Sequence, residues 1–285
     1  MLRKLIKYEW KGVYKMGLIL LGVVAFATFL GFLASRSPLW ADVVIYDEFA
    51  EGLAMLMSLF AIMLYLILLV GVVYAIMIYI GVRFYKTTYT DEGYLLHTLP
   101  VTKHQILISK LLVSSLWIFI IYVAVFASGV LFTFFVMEAV SPGSVGEMLA
   151  YLPDIFGELG RAIRSMSGSD RIELIHLLIS TILSMLVGVP TAILTIFCAV
   201  SLGQLFSKHR VLMAILCYVG ILIAMGIFTA VLRSVSYTGM LLYNFDQVLR
   251  YFFSLIDSTV VLNLFMGVGF YLLSYFITSR KLNME

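Results

Sequence analysis

Side chains able to do chemistry are few in this chain, and they are scattered. The four histidines, His97, His104, His176 and His209, lie far apart, as do the two cysteines, Cys198 and Cys217. A zinc hydrolase needs ligands at short spacing, as in His-Glu-x-x-His, and an ATPase needs the phosphate loop Gly-x-x-x-x-Gly-Lys-Ser/Thr. Neither pattern occurs. The cysteines read as small apolar side chains, with no disulfide framework or metal spacing. The histidines read as interfacial or solvated groups. The expectation is a chain that is not an enzyme by itself and carries no metal and no cofactor.

Two places remain where residue type and spacing carry meaning. The first is Glu9. At about 100° per residue, Arg3, Lys4, Lys7, Lys11 and Lys15 share one face of residues 1–15, and Leu2, Leu5, Ile6, Trp10 and Val13 share the other. This pattern predicts an amphipathic helix in the membrane interface, with Trp10 and the aliphatics at the acyl boundary and Lys7 and Lys11 in the headgroups. Glu9 falls in the middle of the apolar face. Its carboxylate either finds a partner, such as the base of another span, or meets headgroups on a short or rotated helix. The sequence leaves both open.

The second place is the stretch 83–105. Thr90 followed by Asp91 and Glu92 reads as a helix start, with acids in the first turn complementing the dipole. Gly93, Tyr94, Leu95, Thr98 and Leu99 would continue that helix, and Pro100 ends it. Thr102-Lys-His-Gln105 is a capping box that opens the next helix. A short helix, a hard stop and a new start make a rigid element suited to passing force to a partner, with Tyr94, Leu95 and Leu99 as apolar anchors. A plain interfacial connector between two spans has the same spacing.

The elements that hold these residues are read from composition. Hydrophobic residues make up 62% and charged residues 12% of the 285, about half the charge of a typical soluble domain at about 25%. Six charge-free intervals run 16–35, 52–82, 111–137, 174–207, 211–232 and 258–279, the shortest 20 residues long. About 20 apolar residues cross a bilayer core. The prediction is an all-α polytopic membrane protein forming one transmembrane domain, with spans at about 16–35, 52–82, 106–137, 174–202, 211–232 and 258–279. With residues 1–15, 83–110, 208–210 and the C-terminal tail inside, 13 of the 19 Lys and Arg and all nine lysines are internal. By the positive-inside rule both termini are cytoplasmic, so the net charge of +3 marks topology and not nucleic-acid binding. The retained first span is not a signal peptide, because five more spans follow.

Residues 138–173 and 233–257 then face outward. The first contains Pro142, Gly143 and Pro153 and a possible helix through 158–166. The second is too broken by Arg233, Asp246, Arg250 and Asp257 to be a span, and suits one or two re-entrant or interfacial helices. Pro190 predicts a kink in the fourth span, its freed backbone groups met by Ser184 or Thr191. The short stretch 208–210 predicts a tight hairpin. Ala27 with Gly31, and Gly267 with Gly269, suit close helix approach within one subunit. Span interiors without charge argue against a proton- or sodium-driven transporter, so energy is expected to enter from outside the chain.

The run Asp-Glu-Gly-Tyr-Leu-Leu-His-Thr-Leu-Pro-Val-Thr-Lys-His-Gln-Ile-Leu-Ile-Ser-Lys-Leu-Leu from Asp91 resembles the loop and following span of bacterial ABC-transporter permeases of the type-2 exporter family. Leu-Ile-Lys-Tyr-Glu-Trp-Lys from Leu5 is similar to their N-terminal segment. The resemblance implies that 83–105 is a coupling loop, with Asp91, Glu92, Gly93, Tyr94, Leu95, Thr98, Leu99 and Pro100 docking on a separate ATP-binding cassette subunit. It implies an interfacial helix around Lys7, Glu9, Trp10 and Lys11, a second permease copy in a homodimer or heterodimer, and ATP and Mg on the partner alone. Residues 233–257 would match the family's extracellular helices between the last two spans. The expected activity is export of an amphipathic or hydrophobic peptide, lipid-like compound or drug across the bacterial cytoplasmic membrane. A non-transporting regulatory subunit or an ion-coupled secondary transporter are the other readings.

Overall fold

A computed structural model describes residues 2–36, 48–90, 93, 101–206, 208–240 and 245–280. Seven helices follow in order: α1 (Leu2–Ser35), α2 (Glu48–Tyr89), α3 (Lys103–Val140), α4 (Ser144–Ser165), α5 (Gly168–Gly203), α6 (Arg210–Met240) and α7 (Phe245–Arg280). There is no strand among the described residues. All but α4 are long and apolar enough to cross a membrane, which marks the chain as a multi-pass membrane protein. In hydrocarbon every backbone group must be satisfied within its own segment, and continuous helices do this.

The helices outrun the charge-free intervals. Residues 2–15 and the first span form one uninterrupted helix. Helix α2 continues seven residues past 82, through Arg83 and Lys86, and α3 starts at Lys103 with Lys110 already in its third turn. Between 138 and 173, where a helix was expected only over 158–166, α4 begins at Ser144 and accommodates Pro153. Between 233 and 257, α6 runs on to Met240 and α7 begins at Phe245, so no separate outer helix stands there among the described residues. Pro190 lies inside α5. Thr191 donates to the Val187 carbonyl at 2.9 Å, next to the carbonyl that the proline frees.

The chain divides into two compact units. The first comprises Met1–Gly12, Ile78–Leu116 and Ile172–Glu285. Its interior holds Ile80 and Phe84, one turn apart on α2, with Phe197 stacked on Phe84 at 3.9 Å between centroids. Leu5 and Ile106 pack together with Val101 beside them. Gly267 lets α7 approach α5: a Cβ there would lie 2.9 Å from the Thr191 hydroxyl, whereas one at Gly269 would meet nothing. Gly203 similarly abuts the Ala214 backbone in the α5–α6 hairpin, which turns through His209 at φ 55°. Cys198 is fully buried in α5 and Cys217 partly so, as expected of small apolar side chains.

The second unit comprises Val13–Met77 and Trp117–Arg171. Here Ser128 joins three helices by hydroxyls. Its Oγ is 2.8 Å from Thr28 Oγ1 on α1 and 3.2 Å from Tyr65 OH on α2. Ala27 is fully buried, and Gly31 faces the rings of Tyr65 and Phe132. At the end of α3, Glu138 accepts the N–H groups of Gly143 (2.8 Å) and Val145 (3.2 Å). Gly143 has φ 89°, a region open to glycine at no steric cost, and this sharp turn starts α4.

Candidate functional site

Helix periodicity brings a few polar residues of the first unit to one point. On α2, Tyr79, Arg83 and Thr87 recur every four residues and share a face. On α1, Leu5 and Glu9 are one turn apart and both buried, and on α3 the buried pair Ile106 and Lys110 repeats that spacing. The apolar members pack, and the polar members meet beside them.

Glu9 is 4% exposed and takes a donor on each carboxylate oxygen. Its Oε2 accepts from Arg83 Nη2 at 3.0 Å and Nε at 3.3 Å. Its Oε1 accepts from Lys110 Nζ at 2.8 Å, and Lys110 is also 4% exposed. The same ammonium donates to Thr87 Oγ1, whose own proton goes to the Arg83 carbonyl at 2.8 Å. Gly12 completes the fit. The Arg83 guanidinium lies where a Cβ at Gly12 would stand, and the Gly12 carbonyl accepts from Tyr79 OH at 2.8 Å. Three helices are thus joined through one carboxylate. Charged hydrogen bonds of this kind are roughly twice as strong as neutral ones. Removing one member of a buried pair strands the others, at about 3–5 kcal/mol.

A second polar node lies at the other side of the same loop. Tyr89, the last residue of α2, donates to Ser201 Oγ on α5 at 2.8 Å and sits 3.1 Å from Thr278 Oγ1 on α7. Lys103, the first residue of α3, donates to the carbonyls of Thr278 (3.3 Å) and Ser279 (3.0 Å). Those carbonyls end α7 without helical partners, and a cation there complements the dipole. His104 is hydrogen-bonded to Tyr271. Between these anchors the loop leaves α2 and returns as α3.

Of the loop residues singled out in sequence, Asp91, Glu92, Tyr94, Leu95, Thr98, Leu99 and Pro100 lie outside the described residues. Gly93 is described and buried. Its N–H donates to the Thr90 carbonyl at 2.7 Å, and a Cβ on it would run into the Thr88 carbonyl. The Thr90 hydroxyl, expected as the cap of the loop helix, donates back to the Lys86 carbonyl in the last turn of α2. The expected cap at Thr102 is present: Gln105 N–H donates to its Oγ1 at 3.3 Å. Of the four residues picked out near the N-terminus, Lys7 and Lys11 are exposed, Trp10 is half-buried and Glu9 is buried in the cluster.

The sequence alone does not single out Arg83, Thr87 or Lys110, because each cation sits at the edge of a charge-free interval, where charges are ordinary. The signal that could have found them is Glu9 itself, an acid on an apolar face that needs cations at a matching depth. The absence of charge from span interiors also needs amending, since Arg83 and Lys110 lie within two of the long apolar helices. Among the described residues no group of three His, Cys, Asp or Glu is placed to hold a metal. No family model matches the chain, and comparison with curated proteins and with solved structures gives no match.

Proposed function

We propose that this chain is the membrane-spanning permease subunit of an ATP-driven exporter, and that the α2–α3 loop docks on a separate ATP-binding cassette subunit carrying the ATP and Mg. The observation that carries the reading is the double anchoring of that loop. Both roots are fixed to α1, through Arg83 and Thr87 on α2 and Lys110 on α3 meeting Glu9, and again through Tyr89 to α5 and α7 and Lys103 to α7. Force applied to such a loop moves helices instead of bending a tether. The residue run from Asp91 and its likeness to bacterial type-2 exporter permeases supply the partner and the bacterial membrane, and the lysine bias supports a cytoplasmic loop. A second permease copy completes the path, and amphipathic or hydrophobic cargo suits spans of this composition.

The test is co-purification with the cognate ATP-binding subunit and transport in vesicles. Tyr94→Ala with Leu95→Ala should reduce both binding and substrate-stimulated ATP hydrolysis. Glu9→Gln should leave binding intact and lower cargo moved per ATP hydrolysed. Unchanged binding in the first variant sinks the docking assignment. A second reading, an ion-coupled transporter, gains support from the buried Glu9, since buried carboxylates serve as proton relays. It requires flux driven by an ion gradient with no ATP present.

A further inference from the structure

Helix α4 has no buried residue, yet its side chains are sorted by polarity. At about 100° per residue, Val145, Met148, Leu149, Ile155, Phe156 and Leu159 fall within about 60° of Leu152. Glu147, Asp154, Glu158, Arg161 and Arg164 fall on the opposite side. Phe156 is 66% and Leu159 52% exposed. A face of this kind is covered by something.

The chain's connectivity says by what. Only residues 141–143 separate α4 from the end of α3, and only 166–167 separate it from the start of α5. Both neighbours are long and apolar enough to cross the membrane. The first junction is held by the two Glu138 contacts to Gly143 and Val145 and by the Ser144 hydroxyl on the Met137 carbonyl at 3.1 Å. A 22-residue helix tied this closely to spans at both ends stays at the membrane boundary. Three acids against two arginines give it no cationic face for anionic lipid, so its attraction is apolar.

We infer that α4 is an in-plane anchor of the lipid interface, with Leu152, Phe156 and Leu159 sunk to the acyl boundary and Asp154, Glu158 and Arg161 toward water. This stands apart from the exporter proposal, because it requires neither cargo nor an ATPase. The experiment uses the full chain with Cys198→Ala and Cys217→Ala, reconstituted in phosphatidylcholine vesicles and in vesicles with added phosphatidylglycerol. Single cysteines are spin-labelled in turn at positions 152, 154, 155, 156, 158, 159 and 161. Oxygen accessibility should exceed that of a water-soluble nickel complex at 152, 155, 156 and 159, reverse at 154, 158 and 161, and be the same in both lipids. Nickel access on both faces would overturn the inference by placing the helix in water. Low access to both reagents on the apolar face would overturn it in favour of a protein partner. If the cysteine-free background does not assemble, hydrogen exchange on the unmodified chain decides. Phe156→Glu with Leu159→Glu should speed exchange across 144–165 while leaving the six spans unchanged, and equal exchange overturns the anchor.

Discussion

The helices α1, α2 and α3 are joined twice, by two different chemistries. In the first unit the link is ionic, Glu9 between Arg83 and Lys110. In the second it is a set of neutral hydroxyls, Ser128 between Thr28 and Tyr65. Both are buried and both use one residue from each helix. They differ in what happens when one member is lost. Without Ser128, Tyr65 and Thr28 are neutral groups, and the Thr28 hydroxyl still reaches the Val24 carbonyl at 2.8 Å. Without Glu9, the Arg83 and Lys110 cations lose the carboxylate that both of them contact. The ionic link is therefore the more selective fastener: it tolerates one arrangement and penalises every other.

Breaking the ionic link should produce the largest effect. Glu9→Ala is expected to lose about 3–5 kcal/mol, measured by unfolding in mixed detergent micelles. Replacing the triad together, Glu9→Leu with Arg83→Met and Lys110→Met, should restore most of that stability. A loss in Glu9→Ala no larger than in Ser128→Ala would erase the distinction between the two links. Gly12→Ala comes next. Its methyl would displace the Arg83 guanidinium, and overpacking of this kind costs about 1–3 kcal/mol. Gly22→Ala is the control, because a Cβ there meets nothing, and it should be neutral or slightly stabilising. At the root of α3, Thr102→Ala removes the cap on Gln105 and should cost about 1 kcal/mol. The smallest effect belongs to the hydroxyl link: the coupling between Tyr65→Phe and Ser128→Ala in a double-mutant cycle should be about 0.6 kcal/mol, the average for such bonds in a membrane protein.

Much of the architecture was legible in the sequence because hydrocarbon imposes a length. Charge-free intervals of at least 20 residues located all six long helices, and the Thr102 cap placed the start of α3 to the residue. Helix ends were misplaced because a charge was taken to end a span. Arg83 and Lys110 are charges answered by another charge, and a one-dimensional reading cannot see the answer. The loop helix start at Thr90 was read from its side chain alone, but that hydroxyl has a competing acceptor one turn back, at Lys86. Of the candidate site, Glu9 was found as an anomaly and its partners were not. Tyr89, Ser201 and Thr278 carry no signature at all, since single hydroxyls on apolar helices are common and only the packing of α5 and α7 selects these three.

The Lys103 contact to the last turn of α7 sets a timetable for biosynthesis. The ionic link needs nothing beyond residue 110, so it can close while most of the chain is still being made. The contacts of Lys103 and Tyr89 to Thr278 and Ser279 must wait for α7 to enter the bilayer. A chain cut short before α7 would keep its first three helices joined at Glu9 and Tyr89 joined to Ser201, and would lose only the ties to Thr278 and Ser279. On the exporter reading, a chain at that stage would already be folded around its charges while the α3 root of the loop still lacked its hold on α7.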